Sequence, residues 1–367
     1  MDQSPRVPAS EAFRTVPLIV GAWQYSEGHH RNGPGRADAL EELLEVIAYG
    51  ATTFDCADIY TGVEALLGET LRQARARMGD EVADALRVHT KLVPDRSSLA
   101  TVDRRYVERV VDRSLARLGV ERLDLVQFSW WDYGVERWVE VAGWLDEQRR
   151  AGKVAAVGAT NFDTPALRAL VDAGIPIAAH QVQYSLLDRR PAGAMAPWAR
   201  AAGVPLLCYG ALAGGFLTDV WRGRSDPAPG GLTDALGLPN RSLTKYRLVL
   251  EDFGGWGAYQ ALLEALAGVA SDLGATTAQV ALRWVLDRPA VGAVIVGMSR
   301  PARVRECLAA LRLQVDAARW EPVERILEGA QGPAGDCFGL ERDPESPHAR
   351  IMRYDLNRVE TADGAGG

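Results

Sequence analysis

TTFDCADIYTGVEALLGETL, residues 52–71, contains a strand, a turn and the start of a helix in immediate succession. Thr52 to Asp55 is a short β-branched and aromatic run closed by an acid. This is the composition of a strand end buried on both faces. From Glu64 the apolar positions recur every three to four residues through Met78, which is the helical period. Gly62 separates the two periods. A strand that feeds directly into a helix has its next partner strand in parallel, on the far side of that helix.

The same unit recurs outward in both directions. Strands are expected at PLIVG 17–21, TTFD 52–55, LRVHTK 86–91, LDLVQF 123–128, KVAAVG 153–158, IAAHQV 177–182, PLLCY 205–209 and AVIVG 293–297. Helical spacing is read over Ala37–Tyr49, Glu64–Met78, Asp103–Leu118, Arg137–Ala151 and Thr164–Ala173, with Gly119 and Gly152 as stop signals. Eight strands alternating with helices favour a closed (β/α)8 TIM barrel, an α/β fold in one domain over 15–335. Residues 1–14 are expected to be a flexible lead and 336–367 a polar C-terminal tail. After strand seven the alternation lapses. Residues 221–257 are rich in Gly, Pro, Asp and Ser, and a loop of that length points to a lid or binding loop. Helices are then expected at 258–274, 276–287, 301–311 and about 320–330.

The 367 residues exceed the ordinary size of one domain, but barrels commonly run this long. A net charge of -7 disfavours nucleic acid or an anionic membrane as the partner. Cys56, Cys208, Cys307 and Cys337 lie far apart, which fits neither a disulfide framework nor a zinc motif, and no metal is expected. No apolar run is long enough to span a bilayer, and the N-terminus has no apolar signal region. The expectation is a cytoplasmic protein acting on a small molecule, of undetermined oligomeric state.

In such a barrel the active site lies at the C-terminal ends of the strands. The polar residues there are Asp55 and, five residues on, Tyr60; Lys91; Ser129; Asn161; Gln181 and Gln183; Tyr209; and Arg300 and Arg303. Asp55, Tyr60 and Lys91 make a coherent acid. A lysine ammonium beside a phenol favours the phenolate and should lower its pKa from about 10, while the aspartate keeps the lysine charged. The phenol can then exchange a proton with an alkoxide or alcohol. These three residues equally fit a structural Asp55–Lys91 ion pair with Tyr60 on the surface.

TTFDCADIYTGVEALLGETL, VHTKLVP 88–94, GKVAAVGATNFD 152–163, HQVQYSLLDRRP 180–191 and LLCYGALAGGFLT 206–218 together resemble the aldo-keto reductase superfamily, in that family's order. The resemblance implies a (β/α)8 barrel and a nicotinamide cofactor, usually NADPH rather than NADH. It also implies hydride transfer to a carbonyl by an Asp, Tyr, Lys and His tetrad. Asp55, Tyr60 and Lys91 match the first three. Asn161 and Gln181 match residues that hold the carboxamide. Tyr209 matches the aromatic that stacks on the nicotinamide, with Gly210, Leu212 and Gly214 along the cofactor, the glycines letting backbone approach the pyrophosphate. Arg303, with Arg300 beside it, matches the grip on a 2′-phosphate.

The chain departs from that pattern at its fourth tetrad position. Where the resemblance expects His, QFSWWDY 127–133 has Ser129, a shorter donor that is never cationic. In VGMSRPARVREC 296–307, Met298 and Cys307 stand where phosphate- and adenine-contacting residues are usual. Trp23, Tyr25, Trp130, Trp131 and Trp256 are expected at the catalytic rim, the first four lining the substrate pocket. His29 and His30 fall on the first rim loop. His89 is expected in the barrel core, and His180 facing the helices. The function implied is NADPH-dependent carbonyl reduction or alcohol oxidation on a small metabolite. The alternatives are altered redox chemistry, such as enone reduction or sugar lactol oxidation, or a cofactor-binding sensor with little turnover.

Overall fold

In the computed structural model, residues 13, 15–26, 35–297 and 300–357 are described. Eight parallel strands close in sequence order: β1 Leu18–Gly21, β2 Thr53–Asp55, β3 Arg87–Leu92, β4 Leu123–Phe128, β5 Val154–Thr160, β6 Ile177–Gln183, β7 Leu206–Tyr209 and β8 Val291–Gly297, with β8 pairing back onto β1. Each expected strand is present. The interior is filled by Ile19, Leu125, Ala156, Leu207, Ala293 and Ile295, so the barrel is packed and has no pore. Phe13 lies against His89 from below, with ring centroids 5.6 Å apart. Burial lowers the His89 pKa to about 4, so this ring is a neutral core group.

The helices Arg36–Ala48, Val63–Met78, Arg104–Leu118, Trp138–Arg150 and Thr164–Asp172 surround the first strands. Asp103 and Asp163 cap their helices by accepting from the backbone N–H groups of Tyr106 and Ala166. Among the described residues no helix is long and apolar enough to cross a membrane.

The segment after β7 departs from the loop expected at 221–257. It contains the helix Arg241–Phe253, capped by the Asn240 side chain, which buries Tyr246, Leu248, Val249, Leu250 and Phe253. Trp256 is not on a loop. It stands in the next helix, Gly255–Leu273, and packs near Phe216, Trp221 and Tyr259. The stretch after 335 also packs on the barrel. It runs through short helices at Gly339–Arg342 and Pro347–Arg350 and crosses the loops that follow β3 to β6.

Candidate active site

The alternation of strand residues sends Asp55, Lys91, Gln127 and Gln181 to the barrel axis. Lys91 Nζ donates to Asp55 Oδ2 at 2.6 Å and to the Cys56 carbonyl at 2.7 Å. On its other oxygen, Asp55 accepts from Gln127 Nε2 at 2.9 Å and Gln181 Nε2 at 2.7 Å. The two amides are themselves joined at 3.0 Å. Both members of the ion pair are buried, with side-chain exposure of 6% each. Gly158 makes room for this network. A Cβ there would meet the Ala179 carbonyl at 3.0 Å and Gln127 Cγ at 3.3 Å.

Tyr60 sits on the loop after β2, its ring centroid 5.3 Å from Lys91 Nζ. The sequence led us to expect a lowered pKa for this phenol, but in the structure it is raised. Burial pushes the phenol up, and Lys91, which pulls it down, does not offset this together with the push from Asp55, Cys56 and Asp58. The phenol is therefore held as a proton donor. Burial also works against the Lys91 ammonium, but Asp55 and Tyr60 outweigh it and its pKa lies above the ordinary value. Ser129, 3% exposed, follows Gln127 by two residues and so lies on the same inward side, one layer nearer the mouth. Its N–H donates to the Leu92 carbonyl at 3.0 Å.

Several residues expected to face the cofactor also make contacts within the chain. Gln181, expected at a carboxamide, has its amide nitrogen committed to Asp55 and Gln127. Among the described residues, buried oxygens without hydrogen-bond partners include Thr160 Oγ1, at the end of β5, and Gln183 Oε1, at the end of β6, besides Asp58 Oδ1 on the Tyr60 loop and Thr164 Oγ1 at a helix start. Asn161 stands in the left-handed region, φ 61, and its Oδ1 accepts from Tyr209 Oη at 2.9 Å. Gly210 and Gly214, also at positive φ, pack against Tyr246 of the helix Arg241–Phe253. A Cβ at Gly210 would lie 2.1 Å from Tyr246 Oη, and one at Gly214 2.8 Å from Tyr246 Cδ2. These two glycines admit the chain's own helix. Leu212 is half-buried beside them.

Trp130 does not reach the rim. It is fully buried, with Nε1 donating to the Val135 carbonyl at 3.1 Å. Trp131 is covered by Phe338 and Tyr354 and donates to the Pro94 carbonyl at 2.8 Å. Trp130 packs on Phe128 of its own strand, whereas Trp131 is covered by the C-terminal segment, which roofs this side of the mouth. Trp23 is exposed after β1, and Tyr25 there donates to Glu42 Oε2 at 3.2 Å. Arg300 and Arg303 are exposed where the helix Ala302–Ala310 begins after β8. Cys307 is buried on that helix, turned away from its exposed face. His29, His30 and Met298 lie outside the described residues. His180 faces the helices, its Nε2 at 3.0 Å from the Phe162 carbonyl.

The sequence reading missed Gln127, although its spacing from Ser129 assigns it to the inward face. It also missed residues that only the fold brings in. Arg342 Nη2 donates to the Trp130 and Asn161 carbonyls, both at 2.8 Å. Arg190 joins Asp188 to Glu341 in a buried ionic cluster, with side-chain exposures of 2% or less.

The family model "Aldo/keto reductase family" matches residues 17–328. The chain is 28% identical over 266 residues to "Flagellar radial spoke protein 5" of Chlamydomonas reinhardtii. That match covers 63% of this chain and about half, 49%, of that protein. It is 25% identical to the "NADH-specific methylglyoxal reductase" of Escherichia coli (strain K12), across 82% of this chain and 90% of the relative. An aldo/keto reductase from Klebsiella pneumoniae, solved in complex with NADP and acetate, shares the fold with a TM-score of 0.62. It is 22% identical, across 87% of this chain and 93% of that one. The family model spans all eight strands and the Asp55–Lys91 centre they enclose, and on that match this chain belongs to the aldo/keto reductase family and is an oxidoreductase of that kind.

Proposed function

We propose that this protein catalyses NADPH-dependent reduction of a carbonyl on a small metabolite, or the reverse oxidation, with Tyr60 as the proton donor. The observation that carries the reading is the buried Asp55–Lys91 pair beside the Tyr60 ring. The residues present fit a nicotinamide nucleotide. Thr160 Oγ1 and Gln183 Oε1 are buried polar atoms in need of partners beside Asn161 and Tyr209, which suits a carboxamide. Arg300 and Arg303 supply exposed positive charge after β8, which suits a phosphate. When bound, the nucleotide supplies a hydride to the carbonyl carbon.

The chain's residues supply the rest. The Tyr60 hydroxyl gives its proton to the carbonyl oxygen as charge develops there. Lys91 stabilises the phenolate left behind, and Asp55 holds Lys91 in place and charged. Gln127 and Gln181 fix the carboxylate through its second oxygen. Ser129 offers one short donor near the reacting oxygen, so the substrate has more room and less fixed polarity there than an imidazole would leave. NADPH is preferred to NADH because two arginines suit a 2′-phosphate. The NADH-specific relative makes the nucleotide preference the first thing to measure.

The test is isothermal titration with NADPH and NADH, followed by NADPH oxidation with a panel of aldehydes and ketones. Tighter NADPH binding that Arg303→Ala weakens, with turnover on at least one carbonyl, supports the reading. Equal affinities refute the phosphate assignment. Tight cofactor binding with no turnover on any carbonyl refutes the reductase role in favour of a sensor.

A further inference from the structure

Lys245 is a lysine the proposed mechanism leaves unused. It lies on the helix Arg241–Phe253, and its Nζ is 4.9 Å from the ring centroid of Tyr209, 5.8 Å from that of Tyr246 and 5.9 Å from that of Phe338. Three aromatic faces thus surround one ammonium, drawn from β7, the helix Arg241–Phe253 itself and the C-terminal segment. Such faces attract a cation but accept no strong hydrogen bond from it. Among the described residues no carboxylate lies within ion-pair distance of Lys245. The acids that act on it from further away are Glu341 and Asp188, and both are committed to Arg190, which opposes them. Burial pushes the ammonium's pKa down, so a charge here is incompletely compensated.

The cage belongs to the catalytic mouth. Tyr209 bonds to Asn161, and Tyr246 abuts Gly210 at the end of β7. Tyr246 is also close enough to Tyr60 for the Tyr60 phenol to help raise its pKa. An under-compensated cation beside a proton donor favours a ligand with a negative group a few bonds from its reacting centre.

We infer that Lys245 is the binding residue for an anionic group on the substrate, and that this protein acts on carbonyl compounds bearing a carboxylate, phosphate or sulfonate. This inference rests on the reductase reading for its reaction, but the anion site itself can be tested without turnover.

The experiment compares 4-oxobutanoate with butanal, a pair that differs in the terminal carboxylate, on the full-length protein with NADPH. The wild type should favour the anionic aldehyde in kcat/KM by at least tenfold. Lys245→Met should reduce that ratio to below threefold, mainly through KM, and Lys245→Arg should keep most of it. A ratio near one in the wild type, or an unchanged ratio in Lys245→Met, overturns the inference. So does a Lys245→Met variant whose lost property is NADPH affinity, since Lys245 would then hold the cofactor's phosphates. If neither aldehyde is reduced, the reductase reading has failed and calorimetric titration with succinate decides the site. Saturable binding in the wild type that is lost in Lys245→Met upholds it, and equal or absent binding in both overturns it.

Discussion

Removing the Lys91 ammonium should cost stability as well as activity. Lys91→Met keeps the stem and deletes two charge-assisted donations, to Asp55 Oδ2 at 2.6 Å and to the Cys56 carbonyl at 2.7 Å. Asp55 Oδ2 then has no donor, in a site where the side chain is 6% exposed. Leaving a buried charge uncompensated costs about 3–5 kcal/mol. The amides of Gln127 and Gln181 still donate to Oδ1, and hydrogen bonds to a charged group contribute about 1.5–3 kcal/mol each. They keep the loss near the low end, about 3 kcal/mol. Asp55→Asn in the same background removes the stranded charge, so the double variant should be more stable than the sum of the two single losses implies, by about 2 kcal/mol. Urea unfolding followed by far-UV circular dichroism, with the slope checked for constancy, measures all three. A single-variant loss under about 1 kcal/mol, or strictly additive losses, would refute the idea that this pair is a buried, mutually dependent unit.

Three further outcomes are expected. Tyr60→Phe should lower kcat by about 10²–10⁴ while leaving the NADPH dissociation constant within threefold, measured by fluorescence titration, because the hydroxyl acts in the transition state. Wild-type turnover would move the proton donor elsewhere. Ser129→His should raise kcat on simple aldehydes by one to two orders of magnitude, within the ~10²–10³ that an oxyanion donor supplies, and should harm the native substrate. No gain in a folded, cofactor-binding variant would mean that the mouth is adapted at more than this position. Asp58 is buried, and burial first, then Glu64, raises its pKa to about 8. A carboxyl with a raised folded pKa contributes stability that is complete below its unfolded pKa and is lost as pH rises through about 8. The melting temperature should therefore fall from pH 5 to pH 8, and Asp58→Asn should flatten that slope. A parallel slope in both proteins would assign the titration to another group.

The β/α alternation could be read from the sequence because each strand is nearly uniform in apolar character and each helix keeps its period. Local chemistry sets both, and eight parallel strands buried on both faces leave few closures other than the barrel. Asp55, Lys91 and Ser129 could be placed by their positions at strand ends, since a strand's end and its inward face are fixed by local periodicity. Gln127 was within reach of the same rule. The helix Arg241–Phe253 was hidden because Gly- and Pro-rich flanks masked its period and because Arg247, a charge that would ordinarily face water, is buried and paired with Asp226.

What the tertiary structure alone decided concerns sums of distant contributions. The direction of the Tyr60 shift depends on how much water the whole mouth excludes, and desolvation there exceeds the nearby attraction of Lys91. The covering of Trp131 depends on a segment some two hundred residues later in the chain, whose Arg342 ties the loops after β4 and β5 together. The cage around Lys245 is built from three remote stretches. Periodicity reports which side of its own element a residue faces. What lies on that side is fixed only when separate elements pack, because burial and charge compensation are properties of the assembled neighbours.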